Sequence, residues 1–440
     1  MTADGKRVVF VSQTFPPEKG GNASRIHDMA TNVQAGEWSV TVLSPPPCYP
    51  PGEFDRSWRR SRTDDVDGVS VVRLWTWQPT AENPGMKRRL PYYLLFGIHA
   101  TLWLLWNFRR YDVVVTSTPP ISTGAPGLVV AALGKPWLVD VRDLWIDASI
   151  SLGYLQPGSA LERISRRFQR GVFRASDRIA TTTETIGEKL LAQYGTELGG
   201  KLIVVPNGVD TDRFRPTDSL SLDVASGDEA GELQMRDGSD VLASNGRDRT
   251  GDDRPVIVYA GNLGSAQDLE ACVRAMTHLD HEDAVLRLVG KGDLESKLRR
   301  LTRELGVEDR VEFGGLIPRE EVPQLLADAT IGVAPLRSTE TLSYAMPTKV
   351  YEYMACGLPT VVTGRGEIER FAVDSGGGVH ADNDPERIAE RFDELLADEE
   401  RRRRLGRQGR EHVVERYDRG AIAARLSAEL SGLLEGETAA

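Results

Sequence analysis

The segment Met346-Pro-Thr-Lys-Val-Tyr-Glu-Tyr-Met-Ala-Cys-Gly-Leu-Pro-Thr-Val-Val362 gathers residue types suited to a polyanionic ligand. It reads as loop, helix and strand. Pro347 suits the start of a helix, and Gly357 followed by Leu358-Pro359 suits its end. Val350 and Met354 are four apart and share a buried face, while Lys349 and Glu352 are three apart and share another. A helix N-terminus presents N–H groups and the positive end of the peptide dipoles, which together favour a diphosphate. Lys349 would add charge there, and Glu352 could accept both hydroxyls of a ribose. The same spacing also describes an ordinary solvated Lys–Glu pair.

Other residues widen the choice. Gly20-Gly21 follows the first strand, where a tight backbone lets a phosphate or sugar approach, although Pro16-Pro17 also suits a plain turn. Gly290-Lys291-Gly292 follows a later strand. It fails as a dinucleotide fingerprint because the third glycine position is Glu295, and it is expected to line a donor pocket. Arg142-Asp143 lies just past a strand's carboxyl end, where open α/β sheets bind ligands, and a structural Arg–Asp pair is the rival reading. Asp-x-Asp occurs at Asp65/Asp67 and Asp210/Asp212, the first in a polar loop, and His27 is isolated from other ligands in sequence. These give no expectation of a bound metal.

The elements that position these residues are short β-branched runs alternating with helical stretches. Arg7–Ser12, Val40–Leu43, Val69–Leu74, Asp112–Thr116, Trp137–Val141, Arg178–Thr181 and Leu202–Val205 form one series of strands. Pro255–Ala260, Ala284–Val289, Val311–Phe313, Thr330–Ala334, Pro359–Val362 and Gly378–His380 form a second. Near-continuous apolar strands separated by helices indicate parallel sheets covered on both faces, here two doubly wound α/β domains. The expected boundaries are 1–206 for the first, 207–416 for the second, and a C-terminal helix in 417–440 that packs on either domain.

Several segments together resemble the retaining glycosyltransferases of the GT-B fold, glycosyltransferase family 4. Lys349-Val-Tyr-Glu-Tyr-Met-Ala-Cys-Gly-Leu-Pro359 is similar to the family's donor-site helix, and Phe15-Pro-Pro-Glu-Lys-Gly-Gly-Asn-Ala23 to its glycine-rich loop. Val205-Pro-Asn-Gly-Val-Asp210 with Phe214 and Pro216 resembles its interdomain signature. Phe313-Gly-Gly-Leu-Ile-Pro318, Val322, Leu325-Leu326 and Val333-Ala-Pro335 follow its second-domain pattern. Asp140-Val-Arg-Asp-Leu-Trp145 and Tyr259-Ala-Gly-Asn-Leu-Gly264 are closest to the branch with bacterial N-acetylfucosamine transferases of surface-polysaccharide synthesis. The resemblance implies two Rossmann-like domains facing a cleft and a sugar transferred with retention from a nucleotide donor, UDP- or GDP-linked, with no further cofactor. The acceptor would be a glycan or a polyprenyl-type lipid-linked sugar. Donor binding would fall to Gly20, Gly21, Asn262, Gly264, Lys291, Lys349 and Glu352, and catalysis to Arg142, Asp143 and Glu352. Two positions depart from the pattern. Tyr344 stands where a second glutamate is common, and Asn262 and Asp268 stand in the region of an Arg and a Lys that grip the diphosphate. Lys349, Lys291 and Arg142 are the remaining cations for that task.

A formal charge of -11 argues against a nucleic-acid surface. Three scattered cysteines, Cys48, Cys272 and Cys356, read as free thiols in a reducing compartment, and no charged-then-apolar leader precedes Arg7, so a cytoplasmic protein is expected. Thr217 to Pro255 has ten acidic and four basic residues and no aromatic, the composition of a mobile surface insertion. Leu90 to Phe108 runs 19 residues without a formal charge between Lys87-Arg88-Arg89 and Arg109-Arg110. Strands of one sheet lie on both sides of it, so it does not span a bilayer. It is either buried in the first domain or laid in a membrane interface as a peripheral contact over 87–110. Two rival classes are a nucleotide-sugar epimerase, which would act without an acceptor, and a non-catalytic subunit that binds nucleotide sugar.

Overall fold

The computed structural model describes residues 5–18, 21–48, 53–79, 86–151, 153–216 and 254–436. Gly20 and positions 217–253 of the acidic insertion lie outside them. The chain divides into two compact units, Met1–Asn207 with Arg419–Ala440, and Gly208–Asp418.

The first unit is built on eight strands: β1 (Lys6–Val11), β2 (Trp38–Ser44), β3 (Ser61–Val66), β4 (Val69–Leu74), β5 (Val113–Thr118), β6 (Trp137–Val141), β7 (Arg178–Thr181) and β8 (Leu202–Val204). They run in the order β3-β4-β2-β1-β5-β6-β7-β8, parallel apart from the antiparallel β3–β4 pair. Valines dominate the central strands, as expected where helices cover both faces of a parallel sheet. Those helices are α1 (Gly21–Ala35), α2 (Met86–Asn107), α3 (Gly124–Ala132), α4 (Trp145–Ser151), α5 (Ala160–Ala175) and α6 (Glu184–Tyr194). The chain order reverses between β1 and β5, which makes their carboxyl ends the crevice where such sheets take ligands.

The second unit has six parallel strands in the order β11-β10-β9-β12-β13-β14. They are β9 (Val256–Ala260), β10 (Val285–Val289), β11 (Val311–Gly315), β12 (Ile331–Pro335), β13 (Thr360–Thr363) and β14 (Gly378–His380). Its helices are α7 (Leu269–Ala275), α8 (Glu295–Leu305), α9 (Val322–Ala327), α10 (Thr348–Ala355), α11 (Glu367–Asp374), α12 (Pro385–Ala397) and α13 (Glu399–Arg416). Here the reversal falls between β9 and β12. The last helix, α14 (Arg419–Glu435), returns to the first unit, where Ile422, Leu426 and Leu430 join the core around α1.

Two sequence readings change. Asp65 does not sit in a polar loop. It lies in β3 opposite Ser70, in an edge strand whose polar side chains give no apolar alternation to read. His27 is not isolated either: its Nε2 lies 2.7 Å from an oxygen of Asp67, which occupies the β3–β4 turn with φ of 50°. The hydrogen bond to Asp28, set against partial burial and aided by Asp67, raises the His27 pKa above its ordinary value.

Helix α2 covers Leu90 to Asn107 and is buried along one face only. Tyr92, Phe96, Ala100 and Leu104 recur every four residues and are buried against the unit. The opposite face is bare, with Leu94 48%, Ile98 54% and Trp106 83% exposed. No helix among the described residues is long and apolar enough to cross a membrane.

A buried ion pair ties the first unit together. Arg25 of α1 reaches Asp140 of β6 at 2.8 Å, and its guanidinium also donates to the carbonyls of Val205 and Pro206. Ser117 donates to the other Asp140 oxygen at 2.6 Å. Burial alone would raise the Asp140 pKa, but Arg25 beside it brings the carboxyl below its ordinary value. Removing one partner strands the other charge in the interior, at a typical cost of about 3–5 kcal/mol. Arg25→Met should therefore destabilise the first unit by about that much, and Arg25→Met/Asp140→Leu by clearly less. All eight tryptophans lie between Trp38 and Trp145, so urea unfolding followed by tryptophan fluorescence reads this unit alone.

Candidate functional site

In the second unit the site grows from the carboxyl end of β9. The chain turns there through Gly261, Asn262, Leu263 and Gly264, against the parallel turn Gly290-Lys291-Gly292 after β10. Gly261 N–H donates to Val289 and Leu263 N–H to Lys291. A Cβ at Gly290 would lie 1.8 Å from the Gly261 carbonyl oxygen, and one at Gly292 would lie 2.4 Å from that of Leu263. Gly290-Lys-Gly292 is thus a packing requirement between two backbones, which explains why it lacks the third glycine of a dinucleotide turn. The Lys291 side chain is exposed beside it. Asn262 is also exposed, and its carbonyl accepts from the Tyr259 hydroxyl at 2.6 Å.

Helix α10 delivers Lys349 and Glu352 to this turn. Its position is fixed on three sides. The Tyr353 hydroxyl accepts from Ala260 N–H at 2.7 Å, Tyr351 stacks on Tyr417, and the Arg410 guanidinium donates to the Ala355 carbonyl at the helix end. Gly357, with φ of 71°, then turns the chain toward β13. Pro347 precedes the helix with no side-chain cap, which leaves the first turn open to an outside acceptor.

Lys349 and Glu352 do not form the solvated pair that their spacing allows. The Lys349 ammonium lies 3.7 Å from the centroid of the Tyr259 ring and donates to Gln267 Oε1 at 3.3 Å. A Cβ at Gly261 would stand 3.0 Å from this nitrogen, so the cation is held directly at the β9 turn. It makes no ion pair among the described residues. Burial pulls its pKa down to about 7, against the opposing field of Glu352. Glu352 is buried instead beside Arg319, whose Nη2 donates to Oε1 at 3.0 Å. Arg319 and Gln267 are partners the sequence reading did not name, and Tyr259 entered it only as part of a motif. Only the carboxyl ends of β9 and β11 could have pointed to them.

Asp268 accepts from the Asn383 amide at 3.1 Å and sits 3.5 Å from Arg337. Arg337 is a cation near the β9 turn that sequence reasoning missed, but Asp268 and Glu270 already engage it. Tyr344 is buried.

The first unit brings a second group of polar atoms to its own strand reversal. Arg142 follows β6 and is buried, with Nη2 donating to the Pro119 carbonyl at 2.9 Å. Burial lowers its pKa to about 10. Its Nη1, the Thr118 hydroxyl and the Gln13 amide are all buried without a hydrogen-bond partner. Asp143 is half-buried next to it. Gln13 lies just past β1 and Thr118 ends the adjacent β5, and sequence alone gave no sign of them. Gly21 opens α1 and is exposed. Arg142 and Asp143 belong to this unit, whereas Asn262, Gly264, Lys291, Lys349 and Glu352 belong to the other. An unpaired cation beside an uncapped helix end suits a phosphate-bearing ligand. Buried donors without partners suit a polyhydroxylated one.

The sequence matches two family models, one described as Glycosyl transferase 4-like domain over residues 20–208 and one as Glycosyl transferases group 1 over residues 245–412. A GDP-mannose-dependent alpha-(1-6)-phosphatidylinositol monomannoside mannosyltransferase of Mycolicibacterium smegmatis is 26% identical, covering 98% of this chain and 100% of its own. Among solved structures, a sucrose-phosphate synthase from Thermosynechococcus elongatus matches with a TM-score of 0.71 at 17% identity, over 98% of this chain and 100% of its own. The Anabaena protein HepE in complex with UDP-glucose matches with a TM-score of 0.63 at 16% identity, over 97% and 99%. The chain is a glycosyltransferase of the GT-B fold. The two matched domains and these relatives support its place in glycosyltransferase family 4.

The depressed Lys349 pKa makes stability depend on pH with a definite sign. An unfolded lysine stays protonated to about pH 10.4, and the folded one only to about 7, so between them the unfolded chain holds the extra proton. Stability from this group therefore rises with pH across that window. Relative to Lys349→Met, wild type should gain about 2 kcal/mol between pH 7 and 9, read from urea midpoints followed by circular dichroism. Parallel curves for the two proteins would refute the burial of this ammonium.

Proposed function

We propose that this glycosyltransferase moves a sugar, with retention of anomeric configuration, from a UDP- or GDP-linked donor bound by the second unit. The acceptor, a glycan or lipid-linked sugar of cell-surface glycan or glycoprotein synthesis, binds the first unit. The observation that carries the donor assignment is the Lys349 ammonium, desolvated and without an anionic partner at the β9 turn and the start of α10. A diphosphate supplies the missing charge. Glu352 accepts the ribose hydroxyls, with Arg319 fixing its orientation. A relative's GDP-mannose and a structural neighbour's bound UDP-glucose support a nucleotide sugar and leave the base and the sugar open.

The reaction we infer is a same-face displacement. The acceptor oxygen bonds to the anomeric carbon as the bond from that carbon to the diphosphate breaks, and the hydroxyl proton passes to a diphosphate oxygen. Lys349 and the α10 N–H groups stabilise the charge that develops on the leaving group. Arg142 and Asp143 orient the acceptor. The protein is read as cytoplasmic and peripheral, with the bare face of α2 against the membrane and Arg88 and Arg109 near the headgroups. The bacterial N-acetylfucosamine transferases remain the proposed branch, on the strength of Asp140–Trp145 and Tyr259–Gly264.

The donor class is found by screening nucleotide sugars for those that raise the unfolding temperature. A ligand at 100 times its Kd stabilises by about 2.7 kcal/mol. Glu352→Gln should weaken the effective donor by roughly 1.5–3 kcal/mol, a loss of about tenfold or more in affinity. Unchanged affinity and turnover in that variant would sink the assignment. Nuclear magnetic resonance of the first-formed product reads the anomeric configuration directly, and an inverted product rules out the displacement above.

A further inference from the structure

The first unit carries a cavity of about 500 Å³ between α2, the 120–125 segment and helices α4 and α5. It is lined by Leu94, Ile98, Leu102, Ile121, Leu161 and Phe168, among others, and no charged side chain contributes. The volume falls within the roughly 300–1,000 Å³ of small-molecule sites. Gly97 makes the wall tight at one point: a Cβ there would stand 2.8 Å from the Ser122 carbonyl oxygen. Gln13, Thr118 and Arg142, which carry unpaired polar atoms, are not among its lining residues.

The lining restricts what can enter. Thr101 donates its hydroxyl to the Gly97 carbonyl at 2.7 Å, and Ser122 donates to that of Tyr93 at 3.0 Å, so these wall hydroxyls already have acceptors. A peptide would bring N–H and C=O groups into a wall that offers them few partners, at the desolvation cost of each. A hydrocarbon chain has no such requirement. Along α2 the lining runs from Leu90 to Leu102, a rise of about 18 Å at 1.5 Å per residue. One leaflet of a bilayer's hydrocarbon core is about 15 Å thick, so the wall matches the length of one lipid tail. Charge also points to a lipid. On α5, Leu161 and Ile164 line the cavity yet are 54% and 65% exposed. The exposed Arg163 and Arg167 flank them and make no ion pair among the described residues. Cations beside an apolar opening match an anionic headgroup.

We infer that this cavity, whose α2 wall is the part of the bare face formed by Leu94, Ile98 and Leu102, binds one hydrocarbon chain of an anionic membrane lipid. The inference does not depend on which nucleotide sugar the second unit takes.

The test uses the full chain. Dansyl-undecanoic acid is titrated into wild type, Ala125→Phe, which fills the cavity, Leu161→Glu, which places a charge at its opening, and Trp106→Ser, which alters the bare face of α2 outside the cavity lining. Wild type and Trp106→Ser should bind the probe saturably and alike, and the other two should lose at least tenfold in affinity. Vesicles of phosphatidylglycerol with a diazirine-tailed analogue should label α2 and α5 residues of the cavity in wild type. No saturable probe binding by wild type, equal binding by all four proteins, or labelling confined to Leu105 and Trp106 would each overturn the inference. Thermal unfolding verifies that the variants are folded, and Leu161→Glu keeps the test decisive if Ala125→Phe is not. Stabilisation by nucleotide sugars is read on the same wild-type sample. Its absence with probe binding intact would overturn the donor reading and leave this one standing.

Discussion

A single ammonium group, that of Lys349, is partly withdrawn from water with an aromatic face and a neutral amide for company. Much of the second unit's local structure is arranged around that position. The glycine turns after β9 and β10 touch backbone to backbone, which removes the bulk that would otherwise keep a helix away from the strand end. Tyr353 then fastens α10 to the last residue of β9, and the stack of Tyr351 on Tyr417 holds the helix from behind. The result is a charge held at a fixed point with its counter-charge left out. A flexible surface lysine would be hydrated and mobile, and it would gain less from meeting a diphosphate.

The first unit solves the opposite problem. Arg25 and Asp140 are also buried, but both terminal nitrogens of Arg25 are engaged by Asp140 and by backbone carbonyls, so that pair is internal structure. Two positions along from Asp140, Arg142 is equally buried and leaves one nitrogen without an acceptor. The two arginines show how one residue type can be committed to architecture or keep a nitrogen in reserve within one unit. What separates them is whether both terminal guanidinium nitrogens are bonded inside the protein, as in Arg25, or Nη1 is left over, as in Arg142.

Much of the architecture could be read from residues. The valine-rich strands, the glycine ending α10 and the recurring Val350/Met354 face all follow from periodicity and turn chemistry. β3 could not, because an edge strand exposed on both faces carries no apolar alternation. The site was legible one residue at a time and not as a set of contacts. The i,i+3 spacing of Lys349 and Glu352 suggested a pair, whereas the fold gives each a separate partner, Gln267 and Arg319, that lies far away in sequence. Gln13 and Thr118 have no motif at all. They matter only because β1 and β5 are neighbours, and that adjacency belongs to the topology. Helix α2 resisted a single reading for a related reason: its composition is apolar all round, and only packing decides which face is covered.

The edges of both sheets bear on how a protein with a bare apolar helix face limits pairing between strands of different molecules. On one margin of the larger sheet, β3 presents Arg62, Asp64 and Asp65, and on the other β8 is three residues long. In the smaller sheet β14 is equally short. Charged or abbreviated margins give an incoming strand little to pair with. Such margins deny the backbone the edge-to-edge pairing that would propagate from molecule to molecule as an aggregate, and leave the apolar side chains of α2 as a surface without a strand partner.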